Sequence, residues 1–173
     1  MSNSGDQSID VERFLEGMRE VPAVVTVVTT GNNAGIYGIT IGSFVSLSLQ
    51  PALVCFNVQK SASEHDSLTE ADHFVVHVLR EDQAHLSDLF ARSDLTPDEQ
   101  FEEVDFSVDA TGCPILTDAL ITFFCSRYEI FPGGDHSIIV GLVRDVQNGT
   151  PGQPVVYHRR AYYGIGEHKA DHQ

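Results

Sequence analysis

A chain of 173 residues, 42% of them hydrophobic, has the material for one domain with its own core. Its formal charge of −15, from 25 Asp and Glu against 10 Lys and Arg, excludes the clustered cations that nucleic acid or an anionic membrane surface requires. No run of about 18 apolar residues is present to span a bilayer, and the opening MSNSGDQSID is too polar and acidic for a signal peptide.

Residues 1–9 are expected to form a disordered tail. Asp10 then N-caps a helix to about Arg19, with Val11, Phe14, Leu15 and Met18 on one face, and Pro22 ends it. The β-branched run at 23–30 predicts a strand, and 31–35, rich in Gly and Asn, predicts a turn. A second strand region covers 36–49, interrupted by Gly38 and Gly42. Glycines inside a strand mark a bulge or the close approach of a backbone or ligand. After Pro51, a third strand spans 52–58, and Ser63 caps a short helix to about Ala71. A fourth strand covers 73–79 and a helix 82–91, with Leu86, Leu89 and Phe90 inward. The acidic stretch 92–105 is irregular, with a short helix after Pro97. Two long strands, at about 119–131 and 136–147, form a hairpin through the loop Pro132-Gly133-Gly134-Asp135. Short strands at 155–158 and 162–164 close the domain, 10–166, before a second disordered tail at 167–173. Many strands, hairpin links and few short helices predict a mostly β fold, an antiparallel sheet closing into a barrel.

Three constellations can carry chemistry. The first is Thr40, Ser43, Ser46 and Ser48 with Gly38 and Gly42 between them. Hydroxyls and close-lying backbone N–H groups can hold a phosphate without strong positive charge. By itself the stretch reads more simply as an edge strand with polar residues facing water. The second is Asn57 to Ser63, where hydroxyls meet a helix start, an arrangement suited to anions. Ser63 serves its own helix there, leaving Lys60 and Ser61 free for a ligand. The third, Gly134-Asp135-His136, is by itself an ordinary turn with an exposed histidine. His73 and His77 lack partners at metal-ligand spacing and read as satisfied histidines, so no metal is expected. Neither a GxSxG elbow nor a Rossmann or P-loop glycine motif is present. The three cysteines, Cys55, Cys113 and Cys125, have no CxxC spacing and read as reduced thiols of a cytoplasmic protein.

Taken together and in order, the motifs resemble those of the flavin reductase-like family, with its FMN-binding split barrel. Residues 38–51, GITIGSFVSLSLQP, look like the family's G-[MI]-T-x-[SN]-S-F-x-S-[VL]-S-x-x-P signature. Residues 53–63 look like the strand and Ser-rich turn that follow. Residues 74–90, FVVHVLREDQAHLSDLF, are similar to its strand ending in Asn-Val-Leu and the helix closing at Phe-Ala. Gly112-Cys113-Pro114-Ile115-Leu116, Gly134-Asp135-His136 and Gly141-Leu142-Val143 match its C-terminal half. The likeness covers about 11–165.

The resemblance implies an antiparallel split β-barrel with a few short helices, acting as an NAD(P)H:flavin oxidoreductase. Such a protein takes FMN or FAD with NADH or NADPH, forms a homodimer, and supplies reduced flavin to a partner monooxygenase. It places Thr40, Ser43 and the backbone at Gly42 near the flavin ring, with Gly38 and Ser46 in the same signature. Asn57, Ser61 and Ser63 hold the ribityl chain or phosphate, beside Lys60. His136 lies at the nicotinamide side, and Tyr162 closes the pocket. The alternatives are a flavin-binding electron carrier and a split-barrel flavoprotein that keeps its flavin without reductase turnover. Three positions depart from the family. Gly42 stands where Ser or Asn is usual, His77 where Asn is common, and Gln100 before Phe101 where Lys or Arg is frequent. The last departure removes an expected phosphate cation, and together they imply a flavin held loosely by hydroxyls and backbone.

Overall fold

The computed structural model describes residues 9–166. Of the expected tails, 1–8 and 167–173 lie outside the described residues. Helix α1, Val11–Arg19, starts where Asp10 accepts a hydrogen bond from the Glu12 N–H at 3.2 Å. None of its residues is buried. Strands β1 (Ala23–Val24), β2 (Thr26–Asn32), β3 (Gly35–Ile41), β4 (Val45–Leu49) and β5 (Ala52–Gln59) follow. Next come α2 (His65–Glu70), β6 (His73–Val78), a 3-10 turn (Glu81–Gln83), α3 (Ala84–Phe90) and α4 (Pro97–Phe101). The chain finishes with β7 (Phe106–Val108), β8 (Pro114–Leu116), β9 (Ile121–Gly133), β10 (His136–Asn148), β11 (Val155–His158) and β12 (Ala161–Gly164).

Seven strands form the main sheet in the order β3-β2-β6-β9-β10-β5-β4, with each neighbouring pair antiparallel. Strands β3 and β4 lie at opposite ends of that order, yet only residues 42–44 join them. The sheet therefore curls until its edges face each other, and β3 approaches β5 across the gap. This is a split antiparallel barrel. Register shifts at Val140/Gly141 and Val143/Asp145 of β10, and at Ser46/Ser48 of β4, mark bulges, which bend strands and increase their twist. A smaller sheet, β1-β11-β12, and the β7-β8 pair lie outside the main one.

Strand β2 is the spine of the core. Val28 joins the barrel interior with Phe56, Phe74, Val76 and Ile139. Val25 and Val27 belong to a second cluster with Leu86, Phe90 and Phe101. Both faces of β2 are thus covered, which its β-branched run requires. Its threonines remain satisfied in this apolar setting: Thr26 Oγ1 donates to the Ile41 carbonyl and Thr29 Oγ1 to that of Pro114, at 2.8 and 2.6 Å.

Several elements differ from the sequence expectation. The region 36–49 is two strands, because the chain turns at 42–44 to cross the split. The loop between β9 and β10 has two residues, not four: Gly133 pairs with His136, and Gly134 takes φ +69° at the first turn position. Glycine in that position makes a tight hairpin turn matched to strand twist. The N-cap of the short helix is Glu64 rather than Ser63. Within 92–105, Thr96 and Glu99 close a capping box on α4, while β7 and β8 were not anticipated.

Candidate functional site

A cavity of 680 Å³ lies in the split of the barrel, between the end of β3, the end of β5 and the C-terminus of α3. Ligand pockets commonly enclose about 300–1,000 Å³. Its walls are built by cross-strand hydroxyl bonds. Thr40 Oγ1 donates to the Ser87 carbonyl at 2.7 Å, tying β3 to α3. Ser43 Oγ accepts from the Asn57 N–H at 2.9 Å, tying the β3–β4 link to β5. Gly42 lines the cavity between them. A Cβ there would meet Ala23 Cβ at 3.5 Å, an ordinary contact, so no backbone demand explains this glycine.

Asn57, Ser61 and Ser63 line the second wall. Ser61 and Asn57 keep their side chains free of protein hydrogen bonds among the described residues, whereas Ser63 Oγ donates to Glu64 Oε1 at 2.8 Å. His136 closes the third side from the hairpin. Asp135 Oδ1 lies 2.7 Å from its Nδ1, so that nitrogen carries the proton and Nε2 is left for a ligand. The same bond holds the Asp135 carboxyl below its usual range, with the charge on His136 the next cause.

The remaining expected site residues lie elsewhere. Lys60 does not line the cavity; its Nζ donates to the Gly134 carbonyl at 2.6 Å, and its N–H to that of Asp135, so it pins the hairpin that carries His136. Gly38 sits under α3, where a Cβ would lie 2.6 Å from the Phe90 ring. Its glycine serves packing, not ligand approach. Ser46 is exposed on β4, away from the cavity. Tyr162 lines an adjoining cavity of 410 Å³ that shares Thr40, Ile41 and Gly42 with the first. Its hydroxyl donates to Asp88 at 2.7 Å and lies 2.9 Å from Ser87 Oγ; burial first, then the neighbouring carboxylate, pushes the phenol up.

Sequence reasoning missed two charged residues on the cavity wall, Arg92 and Glu64. The expected cation before Phe101 is replaced by Gln100, which is buried and donates from Nε2 to the Arg92 carbonyl at 3.2 Å. Arg92 therefore supplies a cation from just beyond α3, although its guanidinium is bidentate to Asp94. Its signal was the Phe-Ala helix ending immediately before it. His77 is a satisfied core histidine: Nδ1 donates to the Val27 carbonyl and Nε2 accepts from the Leu116 N–H, both at 3.1 Å.

Fold and site define a split-barrel binding protein with two adjoining cavities at its seam. A model of the flavin reductase like domain matches residues 18–166, and the chain belongs to that family. It is 37% identical over 155 residues to an NADH:FMN oxidoreductase of Rhodococcus qingshengii, covering 87% of this chain and 79% of that one. Among solved structures it is similar to BorF, the flavin reductase component of a bacterial two-component tryptophan halogenase. That match has 34% identity, a TM-score of 0.82, and covers 91% of this chain and 99% of the other. It is also similar to the NADH:FAD oxidoreductase SgcE6 of Streptomyces globisporus in complex with NAD and FAD fragments. There the identity is 28% and the TM-score 0.84, over 95% and 99% of the two chains.

Proposed function

We propose that this protein is an NAD(P)H:flavin oxidoreductase that reduces FMN or FAD and supplies the product to a flavin-dependent monooxygenase. The observation that carries this reading is the 680 Å³ cavity in the barrel split, closed on one side by His136, whose lining residues Thr40, Ile41, Gly42 and Ala91 also line a second cavity. Hydride transfer needs the nicotinamide and flavin rings in van der Waals contact, which one open cavity with His136 on its wall allows. The larger cavity fits a flavin: Ile39, Ile41 and Phe90 offer apolar surface, while Asn57, Ser61, Ser93 and Arg92 offer donors for a polyol and phosphate. A bound flavin supplies the acceptor for a hydride from the nicotinamide. The chain's own work is positional. Thr40 and Ser43 hold the walls in register, and His136 presents Nε2 to orient the nicotinamide. Asp88, the charged lining residue of the adjoining cavity among those described, disfavours a 2′-phosphate there and makes NADH the better co-substrate.

The deciding experiment is steady-state loss of NADH absorbance with purified protein, with and without added FMN or FAD. Turnover that depends on free flavin is expected. Protein that holds stoichiometric flavin and does not turn over is a carrier instead, and protein indifferent to both flavins ends the proposal.

The apolar face of α1 argues for a homodimer. Val11, Phe14, Leu15 and Met18 are 67, 51, 40 and 49% exposed, with no partner burying them among the described residues. An apolar face of this kind is expected to be covered. A second copy is the occupant proposed, and Phe14→Glu is expected to shift the protein toward monomer in light scattering. A cytoplasmic setting suits the free thiols of Cys55, Cys113 and Cys125. Among the described residues, no helix is long and apolar enough to cross a membrane.

A further inference from the structure

We propose that Glu64 sets how strongly the larger cavity holds an anionic flavin: its carboxylate on the cavity wall opposes the flavin phosphate. The inference rests on the flavin reading above. Glu64 is 6% exposed and lines the cavity between Ser63 and α2. A buried carboxylate is costly unless a cation or several donors compensate it. Among the described residues it has no ion-pair partner, and the Ser63 hydroxyl is its one side-chain donor.

That single bond has a consequence for the ligand. A serine has one O–H to give. Ser63 gives it to Glu64, so it meets an incoming phosphate with lone pairs instead of a donor. The cavity's cation is also engaged, because the Nε–Nη2 edge of the Arg92 guanidinium is bidentate to the Asp94 carboxylate, at 3.1 and 2.6 Å. The wall that should attract phosphate therefore carries a carboxyl group without an ion-pair partner among the described residues and an arginine already paired with Asp94. Charges lining a cavity are screened less than charges in bulk solvent. The result is a site where FMN gains little over riboflavin, the neutral flavin that shares its ring and ribityl chain. A protein that passes its flavin to a partner benefits from this, since the phosphate is the part that would otherwise slow release.

The test is flavin fluorescence titration of the full chain with FMN and with riboflavin, comparing wild type, Glu64→Gln and Asp94→Asn. Glutamine keeps the shape of Glu64 and an acceptor for Ser63 while removing the charge. The ratio of the riboflavin Kd to the FMN Kd is expected to rise by about tenfold in Glu64→Gln. It is expected to rise severalfold in Asp94→Asn, which releases Arg92 on the exposed side. An unchanged ratio in folded Glu64→Gln overturns the proposal. Equal weakening of both flavins overturns it too, because the carboxylate would then be accepting from the ribityl hydroxyls common to both. Thermal melting reports whether Glu64→Gln folds; where it does not, Glu64→Ala is read by the same ratio in its place. Wild-type protein that takes neither flavin marks failure of the flavin reading itself, before any variant is compared.

Discussion

His136 at the start of β10 and Gly42 just after β3 both line the larger cavity, and each has a separable effect. His136 is held by Asp135 on one side of its ring, and the backbone around it is pinned by Lys60. A ring kept in one tautomer on a pinned backbone suits orientation of a reacting ring, where a displacement of about 1 Å can cost about a hundredfold in rate. His136→Ala is expected to lower kcat/KM for NADH by about tenfold or more while the flavin Kd stays within about twofold, as rapid-reaction and fluorescence measurements would show. Equal loss in both would remove the proposed role. Gly42 presents the opposite case, a missing group. Space for a Cβ exists, with Ala23 Cβ at 3.5 Å and the Val24 carbonyl at 3.8 Å. Gly42→Ser is therefore expected to fold normally and to tighten flavin binding by about fivefold, the effect of one added neutral hydrogen bond.

At the scale of elements, the join between α3 and β3 sets the mouth of the cavity. Phe90 packs against β3 at Gly38 because Gly38 offers no Cβ, and Phe101 of α4 packs edge-on to Phe90 with centroids 5.0 Å apart. Gly38→Ala is expected to lose about 1–3 kcal/mol in urea unfolding, the usual range for overpacking, and to displace Arg92 and Ser93 at the helix end. This join also explains what the sequence could and could not tell. Long β-branched runs and the Gly-containing hairpin of β9 and β10 announce themselves locally, so the antiparallel sheet was legible; Thr40, Ser43, Asn57, Ser61 and His136 stand out only through the ordered set of motifs, and the structure puts all five on the wall of the larger cavity. Gly38 and Gly42 look alike in the sequence, yet one makes room for a phenyl ring and the other merely lacks a side chain. That difference lies in residues some fifty positions away. Arg92 and Glu64 escaped notice for the same reason: their place on the wall follows from how α3 and the start of α2 pack, not from any spacing along the chain. The three-residue strands β7 and β8 are too short to carry a period of two.

The whole molecule balances on a core that holds a neutral histidine. His77 is fully buried on β6 between β2 and β8, hydrogen-bonded through both ring nitrogens. Burial is the main cause that pushes its pKa from 6.5 down to about 4, against a smaller opposing effect from the Val27 carbonyl. Protonation would also turn the Leu116 N–H toward a nitrogen with no lone pair. Below pH 6.5 the unfolded chain takes up a proton at this residue and the folded chain does not, so stability must fall with pH until about pH 4, where both forms are protonated. The loss across that window is roughly 3 kcal/mol, a substantial share of the 5–15 kcal/mol typical of a domain. Carboxylates and the other histidines titrate over neighbouring ranges, so a bare pH profile does not isolate His77. His77→Asn does, because asparagine can donate and accept in the same setting without binding a proton. Urea unfolding at pH 7 and pH 4.5 is expected to show the wild type losing roughly 2–3 kcal/mol more than the variant over that interval. Parallel losses in the two proteins would mean that His77 remains protonatable in the fold and that the acid sensitivity lies with the surface charges.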